Sequence, residues 1–398
     1  MPAPIAARPA PAARSQHWSW RSRRVRGLAY QLLAVAAIAL LAWVLVGNTL
    51  QNMRTRGIQS GFDFLTQPAG FDIGEGWLPY ESIEPYWKAF LVGIVNTLRV
   101  AVIGIALATL LGTALGIGRF SRNALVRGLC YGYVELFRNI PLLLQLLMWY
   151  LLLTEYLPLP NEALRAWDLF FLSKNGLSFP LLLWQPGHWL AAGGLLLGAA
   201  AAYGYARFAR TRFEATGRPL PVVGGVVLLV ILGAAIGWVI GGAPAQFALP
   251  TVAEFQIEGG GALSPEFLTV LLGLTLYTAA FIAEVVRAGI ASVPQGQHEA
   301  SASLGLPRGR SMRLVVLPQA MRLIVPPLTN QYLNLTKNSS LAVAVGYPDV
   351  VSIANTALNQ SGRAVECIVI IMAEYLSLSL ATAGLMNRLN LRAVIRER

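Results

Sequence analysis

Along this chain apolar and polar residues fall in long blocks, not at the short periods of soluble helices or strands. The run Gly27 to Met53 carries no charge and predicts a first span at about Leu28 to Val46. A bilayer-crossing helix needs roughly 20 apolar residues. By that measure a second span runs from about Ala89 to Ile117, interrupted by Arg99, and a third from Ile140 to Leu157. A fourth (Trp189 to Ala206) and a fifth (Pro221 to Gly241) lie in long runs free of charge. A sixth covers Phe267 to Val286, and an eighth Val365 to Met386. The seventh starts near Leu323 and carries Pro326 and Pro327, which predict a broken helix of the kind that lines cavities. The pattern therefore predicts an all-α, polytopic membrane protein with about eight transmembrane helices. Residues 48–88, with Asp63, Asp72, Glu75, Glu81 and Glu84, read as a polar loop.

Composition strengthens this reading. Charged residues make up only 13% of the 398, about half of what coats a soluble chain. A cytosolic enzyme, a disordered chain and a disulfide scaffold are excluded; Cys130 and Cys367 make no framework. The formal charge of +12 would suit nucleic acid, but its distribution points elsewhere. With the N terminus inside, the inner segments (1–27, 118–134, 207–220, 287–322 and 387–398) hold 22 basic residues and the outer ones six. That asymmetry follows the positive-inside rule and places both termini in the cytoplasm. It accounts for the basic balance without a nucleic-acid partner.

The most informative stretch follows the sixth span. Gln295 to Leu304 predicts a short helix, Gly305 a left-handed stop, and Pro307 a corner. Arg308, Arg310 and Arg313 open a second basic segment, and Pro318 precedes the next span. Ala300 and Ala302 keep the first helix small and smooth, as a helix seated in another protein's groove requires. This stretch resembles the cytoplasmic coupling loop of ABC-importer permeases, whose pattern is Glu-Ala-Ala, three residues, Gly, nine residues, Ile-x-Leu-Pro. Here Glu299-Ala300-Ser301, Gly305 and Val315-x-Leu317-Pro318 keep every spacing, with Ser301 replacing Ala and Val315 replacing Ile.

Asn96-Thr97-Leu98, Phe137-Arg138-Asn139-Ile140-Pro141-Leu142-Leu143, the run Ala283 to Ile290, Leu317-Pro318-Gln319-Ala320 and Lys337-Asn338-Ser339-Ser340-Leu341-Ala342 narrow the resemblance to polar and general amino-acid permeases. At Asn338 and Ser339 some members have Asp and Thr. The resemblance covers 86–157 and 262–390, a five-helix permease core in two parts, with the coupling loop at 294–320. It leaves outside a basic tail (1–27), an extra first span (28–47), an insertion with spans four and five (158–261) and a tail (391–398). So enlarged, the chain looks like the larger subunits of general L-amino-acid importers.

The resemblance implies a bacterial inner-membrane complex: a second permease subunit, identical or related, an ATPase subunit dimer, a periplasmic substrate-binding protein and an L-amino acid substrate. No Walker A pattern surrounds Lys88, Lys174 or Lys337, so ATP and Mg are expected on the ATPase and no cofactor on this chain. No catalytic group and no metal spacing among His17, His188 and His298 is visible. An ion-coupled secondary amino-acid transporter is the alternative; it would need midplane carboxylates in matched halves.

Polar residues within the spans add candidates. Asn330, Asn334 and Asn338 share one helix face, with Lys337 beside them. Three readings fit: a substrate pathway, helix-to-helix glue, or, for Lys337, a side chain reaching to the interface. Glu284 and Arg287, three apart, predict a structural brace beside the loop. Arg99 is a pathway charge or a brace to Glu135 or Glu374.

Overall fold

The computed structural model describes residues 23–393 apart from 56, 58, 59 and 255. The expected tails at 1–27 and 391–398 therefore lie mostly outside the described residues. Six helices are long and apolar enough to cross a membrane, and two bent pairs raise the number of spans to as many as eight.

The first span is α1 (Arg23–Thr55), longer than the apolar run alone. None of its most apolar stretch is buried against the rest of the subunit, so it meets lipid or a neighbouring chain. The centre of the molecule is α2 (Tyr86–Gly118), which packs in parallel beside α7 (Pro265–Ala291). Glycines bring the two backbones together. A Cβ on Gly112 would lie 2.7 Å from the Ala279 carbonyl oxygen and the Ile282 Cβ, and one on Gly116 2.8 Å from the Ala283 carbonyl oxygen. Between helices in lipid, such close approach supplies the packing that the hydrophobic effect supplies in water.

The expected third span, Ile140 to Leu157, is met by α4 (Leu142–Leu151) and one wide turn, Leu152–Tyr156; the structure adds a further helix before it, α3 (Ala124–Asn139), set at 103° to α4. Pro141 forces Ile140 into an extended conformation (φ −97°, ψ 128°). Buried Gln145 then donates through Nε2 to the freed carbonyls of Phe137 (3.0 Å) and Ile140 (2.9 Å). The break is thereby satisfied at membrane depth, where no water would do so.

The insertion contributes α5 (Pro186–Thr216) and α6 (Val222–Ile240), an antiparallel hairpin that packs mainly on itself. Its flanking loops add short strands that the all-helical expectation omitted. Leu164–Ala166, Phe170–Ser173, Gly176–Phe179 and Gly261–Leu263 form one antiparallel sheet. Two further pairs join Leu181–Leu182 to Phe247–Ala248 and Thr251–Val252 to Ile257–Glu258.

After α7 come α8 (Gln295–Ser303) and α9 (Arg308–Ser311). A wide turn, Met312–Val316, joins α9 directly to α10 (Leu317–Asn338). Two expectations are corrected here. Pro318 does not separate a second short helix from the next span; it sits in the first turn of α10, directly after the wide turn, within one unbroken helical run. Nor do Pro326 and Pro327 break the span, since α10 runs helical through both. Adjacent prolines remove two consecutive ladder bonds, after which the ladder resumes. The discontinuity falls further on, at a tight turn Ser339–Val345 and left-handed Gly346 (φ 79°) before α11 (Val350–Ser361). The chain closes with α12 (Ala364–Ala393).

Candidate functional site: docking loop and inner cavity

The loop after α7 is held by a small set of bonds. The Leu306 N–H donates to the Ser301 carbonyl (3.1 Å) and the Gly305 N–H to that of Ala302 (2.9 Å), closing α8 in the manner of a Schellman end. Gly305 takes φ +71°, the left-handed region expected of it. Ser301, the departure from the family's Ala, is buried: its Oγ donates to the His298 carbonyl (2.8 Å) and lies 2.6 Å from the Ser311 Oγ. The extra hydroxyl thus fastens α8 to α9. Gln319 adds a second tie, donating to Gln297 Oε1 (3.1 Å).

Everything else on α8 faces outward. Gln295 to Ala300 are exposed, Glu299 included, and Leu304 is 80% exposed at the corner. Leu317 is exposed and Pro318 half-buried at the root of α10. The result is a short, smooth, rigidly mounted helix with no cover from its own chain.

Ser301→Ala is expected to cost about 1–2 kcal/mol, because it strands the buried Ser311 hydroxyl. Removing both hydroxyls should cost less than the two single losses added together. Thermal unfolding of the purified subunit over the double-mutant cycle checks this.

Just before the loop, Glu284 is clamped by two arginines. Arg287 Nη2 lies 2.5 Å from Oε1, and Arg119 Nη1, from the turn after α2, 2.5 Å from Oε2. The clamp ties α2 to α7 at the loop end. Arg119 went unrecognised in the sequence, where it is one more basic residue after a span.

Above the clamp, α3, α7 and α10 enclose a cavity of about 420 Å³, lined by Arg138, Phe281, Glu284, Ser292, Leu323 and Gln331. The Arg138 guanidinium lies over the Phe281 ring, 5.3 Å from its centroid, and makes no ion pair among the described residues. The cavity wall is mostly apolar, and with Glu284 engaged by two arginines, Arg138 is its one cation among the described residues.

The asparagine row lies elsewhere. Asn330, Asn334 and Lys337 are exposed and Asn338 half-buried on α10, so this face points away from the subunit and glues none of its own helices. The polar residue that α10 places at the cavity, beside Leu323 and Pro327, is Gln331, one position off the row. Arg99 pairs with neither Glu135 nor Glu374; its Nη1 lies 2.6 Å from Glu75 Oε1, in the loop before α2.

A bundle of six to eight candidate membrane helices with a short uncovered helix at one end has the architecture of a membrane transport subunit. Residues 225–395 match the family described as binding-protein-dependent transport system inner membrane component. The chain is 43% identical to the general L-amino acid transport system permease protein AapQ of Rhizobium johnstonii, over 96% of either chain. It is 39% identical to the glutamate/glutamine/aspartate/asparagine transport system permease protein BztB of Rhodobacter capsulatus, over 94% of this chain and 95% of that one. The chain belongs to this family: it is a multi-pass permease subunit of an ABC importer of the inner membrane.

Proposed function

We propose that this permease imports L-amino acids, with both termini and the docking loop in the cytoplasm. The observation that carries the mechanism is the uncovered α8, fastened through Ser301–Ser311 to a helix continuous with α10. The loop around Glu299, Ala300, Ser301 and Gly305, rooted at Leu317 and Pro318, seats in a groove of an ATPase subunit dimer. Closure of that dimer on ATP displaces α8, and α9 and α10 carry the movement to Gln331 at the cavity, about 35 Å away at 1.5 Å per residue. The Glu284–Arg287–Arg119 clamp holds α2 and α7 as the fixed frame.

ATP and Mg reside on the ATPase, and this chain works without a cofactor of its own. A binding protein delivers the amino acid at the opposite face. A second permease, identical or related, covers the α10 face bearing Asn330, Asn334, Lys337 and Asn338, which then lines the pathway. The core at 86–157 and 262–390 performs transport, while α1 and the 158–261 insertion pack laterally. The names of the two relatives support amino acids as cargo. The cavity agrees with them, since an unpaired arginine over an aromatic ring suits a carboxylate.

In proteoliposomes, uptake is expected to require ATP, the ATPase and the loaded binding protein together. Uptake driven by an ion gradient alone would establish secondary transport instead. Arg138→Gln is expected to raise the KM for uptake about tenfold, the equivalent of one charged hydrogen bond. An unchanged KM in a correctly assembled complex would remove the cavity from the pathway.

A further inference from the structure

The Arg99–Glu75 pair is a polar structure of a different kind from the docking loop. Arg99 lies about 20 Å along α2 from Tyr86, and its side chain is only 4% exposed. Its guanidinium sits over the Phe267 ring, 3.9 Å from the centroid, and faces Trp77 at 5.1 Å. Glu75 reaches it from the loop between α1 and α2, and also accepts from the Ser264 hydroxyl at the start of α7. Fully buried Asn96 donates to the Glu75 carbonyl (2.9 Å) and to that of Pro348 (3.0 Å), in the break before α11. Glu75 and Asn96 together thus tie α2, α7 and the broken span at the end away from the loop after α7.

Directly outside it lies a cavity of about 390 Å³, lined by Phe71, Asp72, Glu75, Ser264, Glu266 and Thr356 among others. Its size suits a small polar ligand. Behind the Glu75 floor one donor and one acceptor remain spare: Arg99 Nε and Asn96 Oδ1 are buried and unpartnered.

We propose that this cavity is an entry vestibule for the zwitterionic head of an α-amino acid, with the Arg99–Glu75 pair as its opening floor. The proposal rests on the amino-acid reading above and on its orientation, which puts this end outside. Parting a buried ion pair strands a charge at high cost. A zwitterion avoids that cost, because its carboxylate takes Arg99 while its ammonium takes Glu75, with Asp72 and Glu266 favouring the ammonium's approach. A ligand carrying one of the two charges replaces only one partner. The floor therefore selects for both groups on one molecule.

The test uses Gly74→Cys, since a Cβ there meets no heavy atom within 4 Å, with Cys130 and Cys367 replaced by Ala. The full complex, without binding protein, is labelled from the outside with an impermeant thiol reagent. Millimolar L-glutamine, L-glutamate or L-leucine should slow labelling about tenfold. Glutaramate and γ-aminobutyramide, glutamine without its amino group or its α-carboxylate, should not. Adding Glu75→Gln should abolish the protection. If that variant fails to assemble, the comparison with the two half-molecules decides alone. Equal protection by the half-molecules overturns the proposal. So does no protection by an amino acid that the same complex imports when its binding protein is supplied. A complex that imports no amino acid at all would instead remove the underlying reading, and this proposal with it.

Discussion

Tryptophan at Gly305 is expected to leave the bundle assembled while uptake falls at least tenfold, a loss of ~1.4 kcal/mol or more in productive coupling. Two effects of the substitution must be separated. At φ +71° any L-residue pays about 1–2 kcal/mol of backbone strain. That strain is local to a surface corner and does not reach the spans. The second effect is bulk. No heavy atom lies within 4 Å of a Cβ built on Gly305, so an indole meets nothing inside this subunit and projects from the corner beside exposed Leu304. It would therefore obstruct whatever receives α8. Gly305→Ala carries the strain without the bulk and should keep most of the uptake. The readouts are uptake and binding-protein-stimulated ATP hydrolysis in the reconstituted complex. Equal losses in Ala and Trp would assign the effect to the turn itself, and normal uptake in Trp would show that nothing seats at this corner.

The local geometry of the loop after α7 was legible in the chain because its signals are close together. Gly305, Pro307 and the small residues of α8 lie within a dozen positions, and the helix end, the corner and the exposed face follow from them. The breaks in the spans were not legible. Pro141 and the Pro326–Pro327 pair look alike in sequence, yet one bends a span by 103° and the other leaves a continuous helix. At the first break a side chain, Gln145, captures the freed carbonyls, and its value there appears only once the chain has already turned back. The break at Ser339–Asp349 has no proline before Pro348 and rests on Asn96 and Tyr347, more than 240 positions apart. The charges of α2 show the same limit. Arg99 and Arg119 were visible as charges, but their partners Glu75 and Glu284 required knowing that a loop folds inward and that α2 and α7 run in parallel.

That parallel contact leads to the second large expected effect: Gly112→Leu should prevent a stable bundle from forming. A Cβ at this position already stands 2.7 Å from both a carbonyl oxygen and the Ile282 Cβ, too close for either to yield by side-chain rotation alone. The helices must move apart, and parting them loosens the packing at Gly116 one turn further along. Gly112→Ala should cost about 2 kcal/mol by overpacking, whereas the branched side chain of Leu exceeds what the seam absorbs. Gly128 on α3 is the control. A Cβ there meets nothing within 4 Å, so Gly128→Ala should be neutral or gain up to ~1 kcal/mol of helix propensity. Yield of monodisperse protein and thermal unfolding distinguish the three variants. α2 carries Arg99 towards one end of the seam and the turn after α2 carries Arg119 at the other, so a looser seam would strain the Arg99–Glu75 and Arg119–Glu284 pairs together. The milder Gly112→Ala variant should accordingly leak ATP hydrolysis uncoupled from uptake before it loses assembly.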